Sequence, residues 1–300
     1  VFRNARLYRV HSSWPESEEA LHGILGHGLF QPCGSLSERS AGWESPEPVI
    51  EGREDPPLAR RVAGADLLQL RHQTRVLPPA AVNEALSERL SQFQARTGRL
   101  PGRKEKRDLK EDVYDTLLPK ALLKSDRVQG LYLKSERLLA IDTASDTVAE
   151  LFLDQYRAAA GSLEATPLAF KRPIGELLLR VFMGDGPTEL ALSRECRMQD
   201  PANGKSSVSW LDMDLGDPQV RKHVQAGLAI DRLGIEFNGV VGCVLDRDAI
   251  LRKLKLLDTD GMDDLPDEEP LARLDAEIAL TAGAIAGLCR MLKKVQGGYA

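Results

Sequence analysis

A broken amphipathic pattern near residue 100 constrains this chain more than any other feature. Val82, Leu86, Leu90 and Phe93 recur at helical spacing and fill one face of a helix. Leu109, Val113 and Leu117 supply a matching stripe further on. Between them Gly98-Arg-Leu-Pro101-Gly102 sets a proline between two glycines, so one continuous helix cannot run through. The pattern predicts two helices folded back as a hairpin, a finger spanning residues 79–125. Its tip is strongly basic: residues 96–110 hold seven Lys or Arg against two acidic residues, in a chain of formal net charge -5. Arg103, Lys106, Arg107 and Lys110 recur every three or four residues and share one helix face. A charge run is ordinarily a solvated face. Here the excess makes a local field opposite in sign to the whole, and the partner it points to is a polyanion.

The rest of the composition narrows the class. Three hundred residues, 42% hydrophobic and 28% charged, describe a soluble globular chain of about two or three folding units. No apolar run approaches the roughly 20 residues that span a bilayer, so no membrane partner is expected. The opening segment alternates like a strand and lacks the apolar core of a secretory signal; the expectation is a cytoplasmic location. Cys33, Cys196, Cys243 and Cys289 are scattered with no CxxC pair, and the five histidines are equally dispersed. They read as buried thiols and isolated imidazoles, with no metal site and no cofactor.

Read in order, the chain alternates strand and helix periods, which predicts an α+β fold with mixed sheets. Strands are expected at 3–10, 66–71, 128–133 and 137–141, and helices at 18–25, 147–159 and 174–182. Strands at 190–198 and 206–213 flank the turn sequence Pro201-Ala-Asn-Gly204, whose Asn-Gly pair suits a hairpin. A helix at 217–226 follows, then strands at 229–237, 240–245 and 250–256, and a long helix at 270–294. In the last of these strands Lys253 and Lys255 alternate with Leu254 and Leu256, which makes one sheet face basic. Gly283 and Gly287 on the final helix would permit close packing against a neighbour. Residues 258–269, DTDGMDDLPDEE, read as a solvated acidic loop. The organisation expected is a central region of residues 1–78 with 126–168, the finger, and a carboxyl-terminal base region of residues 169–300.

Three lookalike motifs fail on spacing. Gly204-Lys205-Ser206 ends like a phosphate-binding loop, but the glycine required at 199 is Gln199. Asp258-Thr-Asp260-Gly261 places its glycine fourth, where a calcium loop needs it sixth. No GxSxG elbow occurs, and no catalytic residue is assigned.

Several short sequences in order give the chain a family likeness. They are the opening FRNARLYRV, Phe30-Gln-Pro-Cys33-Gly34-Ser35 with Gly42-Trp43, Leu77-Pro78, Leu117-Leu118-Pro119-Lys120-Ala121, Gly161-Ser162-Leu163 and Arg273-Leu274-Asp275-Ala276. Together they resemble the bacterial recombination-associated RdgC family over essentially the whole chain. That resemblance implies a non-enzymatic, nucleoid-associated protein. Its horseshoe-shaped subunits close as a homodimer into a ring with a basic hole for duplex DNA, and it restrains the recombinase RecA. Carried onto this chain, the finger cations are Arg99, Arg103, Lys104, Lys106, Arg107 and Lys110. The ring interface falls near Lys120 and Leu122, where relatives usually carry Phe in place of Leu122. Trp210-Leu-Asp212-Met213 also departs from the family pattern, which has Lys and Gln there.

Charge neutralisation explains how a net acidic protein can bind DNA: displaced phosphate counterions drive association without base reading, provided cations are segregated along one path. The finger and the Lys253/Lys255 face are the candidate lining. Aromatics do not interleave with the basic cluster, so single-stranded DNA is a weaker partner than duplex. Two rivals remain open at this point. One is a protein-interaction module whose basic finger docks on an acidic partner, and the other is a nuclease, which would need clustered metal-binding carboxylates.

Overall fold

The computed structural model describes residues 2–50, 52, 54–202, 204–257 and 269–300. The strands in chain order are β1 (Asn4–Val10), β2 (Arg39–Glu44), β3 (Ala59–Val62), β4 (Ala65–Val76), β5 (Leu122–Leu133) and β6 (Leu138–Ile141). Then come β7 (Ala165–Pro167), β8 (Leu190–Gln199), β9 (Ser207–Trp210), β10 (Ala229–Phe237), β11 (Val241–Asp246) and β12 (Leu251–Leu256). The helices are α1 (Glu18–Gly26), α2 (Pro79–Thr97), α3 (Arg103–Leu117), α4 (Asp146–Ala160), α5 (Ile174–Met183), α6 (Pro218–Gln225) and α7 (Pro270–Val295). The class is α+β. The chain divides into two compact units, one of residues 1–27, 45–69 and 128–300, the other of residues 28–44 and 70–127.

In the larger unit the strand order is β4-β5-β6-β1-β12-β11-β10-β8-β9, with β3 on β4 and β7 on β1. Where mixed sheets are expected from sequence, the ladders with defined register here are all antiparallel. The strand β1 sits mid-path, with Leu7 opposite Ala140 and Ala5 opposite Leu251. One sheet face buries Leu7, Leu131, Leu138, Leu233, Leu245 and Leu251 in a core shared with α5 and α7. The apolar stripe of α5, Leu177, Leu178, Val181 and Phe182, is buried there because its i, i+1, i+4, i+5 spacing gathers on one side. On the opposite face Trp14 stacks between Tyr132 and Tyr156, at 4.0 and 4.9 Å between ring centroids. Its Nε1 donates to Asp66 Oδ2 at 2.8 Å, which satisfies the indole N–H that burial would otherwise strand.

The smaller unit holds β2, the second part of β4, the first part of β5, and the packed pair α2 and α3. Gly98 ends α2 at φ 70°, a left-handed conformation in which its N–H reaches the Gln94 carbonyl at 2.8 Å. Val82, Leu86 and Val113 are the buried residues of the two helices, so the expected stripes supply a thin interface.

Most of the strand and helix expectations lie within a residue or two of these elements. The differences have local causes. No strand is expected between 26 and 65 or between 160 and 173, yet β2, β3 and β7 lie there. The strand β3 is Ala-Arg-Arg-Val with no clean alternation, and it exists because β4 offers a ladder, Ala59 opposite Leu68. The strand expected over 206–213 stops at Trp210, where Asp212 turns left-handed at φ 51° and pairs with Arg194 at 2.7 Å. All four cysteines are buried thiols. Burial pushes Cys196, Cys243 and Cys289 up to about 12, so they stay protonated and unreactive. No described helix is long and apolar enough to cross a membrane. The acidic stretch at 258–268, with its calcium-like Asp258-Thr-Asp260-Gly261, lies outside the described residues.

Candidate nucleic-acid interface

The hairpin tip is built around one acid. Glu105 accepts from the Gly102 N–H at 2.7 Å, capping α3, and holds Arg99 in a bidentate pair at 2.8 and 2.7 Å. The Arg99 pair first, and the Gly102 bond second, lower the Glu105 carboxyl to about 2. Arg99 also lies over the Phe93 ring, 5.4 Å from its centroid. Arg99 is therefore committed to the turn. Arg107 is 3.7 Å from both Asp108 and Glu111, at the loose limit of pairing. Arg103, Lys104, Lys106 and Lys110 are exposed and have no ion pair among the described residues. Four cations along about two helical turns thus face water without an ion pair among the described residues.

Their placement runs against the helix they occupy. Cations crowd the first half of α3 while Glu111, Asp112 and Asp115 follow in the second. The macrodipole favours the reverse arrangement. The charge order is accordingly unexplained by helix stability and matches what a polyanion at the tip would select.

At the hairpin's base the joining is done by Arg75, which no sequence pattern singles out. Its guanidinium donates to the carbonyls of Gly34, Leu118, Pro119 and Ala121 at 3.1 to 3.3 Å. Two of the quoted family sequences, Cys33-Gly34-Ser35 and Leu117-Leu118-Pro119-Lys120-Ala121, meet on this one side chain. A lone Arg in a strand carries no sequence signal of that role. Just beyond, Lys120 is exposed without an ion pair among the described residues, and Leu122 is 80% exposed. Leu122 is not a core leucine. Leu123 beside it is 44% exposed, so β5 opens on an apolar surface pair.

In the larger unit Lys253 and Lys255 do stand exposed between buried Leu254 and Leu256. They are unequal, however: Lys253 is clamped by Glu195 at 2.6 and 2.8 Å, while Lys255 has no ion pair among the described residues. Sequence reasoning missed the larger basic group on these strands. Arg197, Arg232 and Arg247 each lie 3.7 Å from Asp231, and Arg252 bonds Asp246 at 3.0 Å. Arg197 is opposite Arg232 across the β8/β10 ladder, which sets like charges side by side around a single acid. The available signal was the interruption of apolar strands by charge, Arg194-Glu-Cys-Arg197 and Asp231-Arg232.

Other residues named from the sequence have structural partners. Asp275, in Arg273-Leu274-Asp275-Ala276, receives Arg60 at 2.8 and 2.6 Å, tying α7 to β3 with Glu47 on the same guanidinium. A Cβ at Gly287 would sit 3.2 Å from the Phe237 ring of the same chain, so its small size serves packing within the subunit; space at Gly283 is open. Among the described residues no group of three or more His, Cys, Asp or Glu is placed to hold a metal ion.

Comparison with known proteins gives one consistent result. A family model described as "Putative exonuclease, RdgC" matches residues 1–299. The chain is 31% identical over 297 residues to a protein of Pseudoalteromonas atlantica (strain T6c / ATCC BAA-1087), covering 98% of this chain and 97% of that one. A Stenotrophomonas maltophilia (strain R551-3) protein is 32% identical over 297 residues with the same coverage. One from Shewanella sp. (strain ANA-3) is 29% identical over 301 residues, 99% and 97% covered. Each of the three is named Recombination-associated protein RdgC.

Proposed function

The chain belongs to the RdgC family, and from that membership we propose that it is a DNA-binding protein of homologous recombination, one that grips duplex DNA without reading its sequence. The observation that carries this reading is the set of exposed, uncompensated cations on α3, Arg103, Lys104, Lys106 and Lys110. Neutralising phosphates releases counterions and needs no base contact. The arginines around Asp231 and the Lys255 side chain offer a second set of phosphate contacts. Two copies associate as a ring around the duplex, one contact being made by the exposed Leu122, and the occupied DNA is withheld from the recombinase RecA. The basic-finger contact with an acidic protein is the alternative occupant of the same cations.

Binding rather than cleavage is favoured by how the acids are used. Glu105, Glu195 and Asp246 each hold a basic side chain instead of gathering with one another. The word exonuclease in the family description gives the second reading a definite form, so the test addresses both. Arg103→Ala, Lys104→Ala and Arg107→Ala together should weaken binding to unrelated duplexes by similar factors. The salt slope should fall by up to about 0.9 for each phosphate left without its cation. Unchanged affinity with the fold intact removes the finger as a DNA contact. Metal-dependent shortening of the duplex in the same assay, with divalent cation added, replaces the binding reading by the nuclease one.

A further inference from the structure

On the sheet of the larger unit three arginines share one acid, and the strand ladder explains why. Ile230 lies opposite Met198 and Arg232 opposite Arg197, so Asp231 between them has no partner on β8 and is the extra residue of a bulge. The bulge suspends the alternation of faces, so Asp231 and Arg232, though consecutive, both stand beside Arg197. The Asp231 carbonyl accepts from the Arg247 N–H at 3.1 Å, which brings the turn after β11 to the same place. Arg197 Nε and Arg232 Nε are each 3.7 Å from Asp231 Oδ2, and Arg247 Nε is 3.7 Å from Oδ1. One carboxylate is thus within reach of all three guanidinium groups. The neighbouring acids are committed elsewhere. Asp246, opposite Arg232 on β11, bonds Arg252 Nε at 3.0 Å and accepts from the Asp248 and Ile250 N–H groups at 3.0 and 2.9 Å. Glu195, two residues before Arg197, holds Lys253 at 2.6 Å. No second carboxylate pairs with Arg197, Arg232 or Arg247 among the described residues.

Asp231 balances this group by charge alone. At 3.7 Å it is too far to hydrogen-bond any of the three nitrogens, and the shielded Nε atoms of Arg197 and Arg232 have no hydrogen-bond partner. The Asp231 side chain is 14% exposed, whereas the three arginine side chains keep 34 to 51% of their surface open to solvent. Three guanidinium groups around one carboxylate leave positive charge in excess and N–H donors without acceptors. A tetrahedral oxyanion supplies both the charge and enough oxygens, and a lone carboxylate does not. We infer that the group is a phosphate site in which Asp231 is the resident counter-ion, and that an arriving phosphate competes with this carboxylate for Arg197, Arg232 and Arg247. Asp231 then keeps like charges together while the site is empty and weakens binding when it fills. The phosphate belongs either to a nucleic-acid strand or to free inorganic phosphate. For a strand phosphate the site serves the duplex binding proposed above and rests on it; for free phosphate it does not.

Calorimetric titration of the full chain with sodium phosphate, against sodium chloride at equal ionic strength, tests the assignment. Phosphate should give saturable binding. Asp231→Asn removes the competing charge and should tighten it about ten-fold, while Arg247→Gln, at the most exposed of the three arginines, should weaken it about ten-fold. Asp185→Asn makes the same charge change at an exposed acid in the loop before β8, one with no ion pair among the described residues, and should titrate as wild type. Circular dichroism melts check that each variant folds; if Asp231→Asn does not, Arg247→Gln decides. A short duplex followed by fluorescence anisotropy distinguishes the sources. Duplex affinity that rises with Asp231→Asn and falls with Arg247→Gln, unchanged by Asp185→Asn, assigns the phosphate to a strand. Duplex affinity indifferent to all three, with phosphate binding shifted as above, assigns it to free phosphate. Failure of the duplex-binding function itself shows as no duplex binding by any form, with the phosphate titration intact. Absence of saturable phosphate binding, an Arg247→Gln titration equal to wild type, or equal effects of Asp231→Asn and Asp185→Asn overturns the proposal.

Discussion

At the residue scale, Glu105 decides how much of the tip's charge is available. It holds Arg99 and removes one cation from the number that spacing alone would give. Glu105→Gln should release Arg99 and tighten duplex binding, with the salt slope steepening by about 0.9 if the freed guanidinium finds a phosphate. Binding isotherms across a salt series measure it. The pH dependence has a definite sign. A carboxyl lowered to about 2 contributes to tip stability above its unfolded value, roughly 4.3, and loses that contribution as pH falls toward 2. Titrating the Glu105 side-chain carbon by NMR checks the midpoint, and a midpoint above 4 would show the pair does not form in solution. Asp275 is the other residue whose role is now physical. Asp275→Asn leaves Arg60 with Glu47 alone and should cost roughly 1 to 3 kcal/mol in denaturant unfolding, less than a fully buried pair because both side chains retain some solvent.

At the element scale, the α2/α3 hairpin and the central sheet are held by different amounts of apolar contact. Three buried side chains secure the helices of the hairpin, so their amides should exchange with deuterium faster than those of β10 or α7, and added polyanion should slow them. Unchanged exchange on saturation with duplex would mean that α3 is not the contact. In the sheet the tolerance is set by steric fit. A Cβ at Gly130 on β5 would lie 2.2 Å from the Phe152 ring tip on α4. Gly130→Ala should therefore destabilise by about 1 to 3 kcal/mol through overpacking, read as a lower denaturant midpoint at unchanged m-value.

At the scale of the whole molecule, the proposed assembly rests on contacts between copies, and the exposed Leu122 makes that testable without damage to the subunit. A side chain with 80% of its surface in water costs little to replace. Leu122→Asp should fold with the wild-type melt, stay dimeric through its other contact in sedimentation, and open the ring at this one. Retention on circular duplex at high salt should then fall to the level seen on linear duplex, while Leu122→Phe should strengthen retention. Equal retention of wild type and Leu122→Asp on circles would locate the closure elsewhere.

What the sequence determined by itself was local. The glycine-proline break at 98–102, the stripes of α2 and α3, the alternation of β8, β10 and β12, and the apolar setting of the cysteines all repeat within a few residues, and side-chain periodicity is set at that range. The cation excess at the tip was equally legible, because net charge needs no coordinates. Which cations stay free was not. Lys253 meets Glu195 from 58 positions away and Arg75 gathers carbonyls more than 40 residues distant, partnerships that depend on strand order and on where the chain returns. The strands β2, β3 and β7 belong to the same class, since a short polar segment becomes a strand only when a neighbouring edge presents unpaired N–H and C=O groups for it to satisfy.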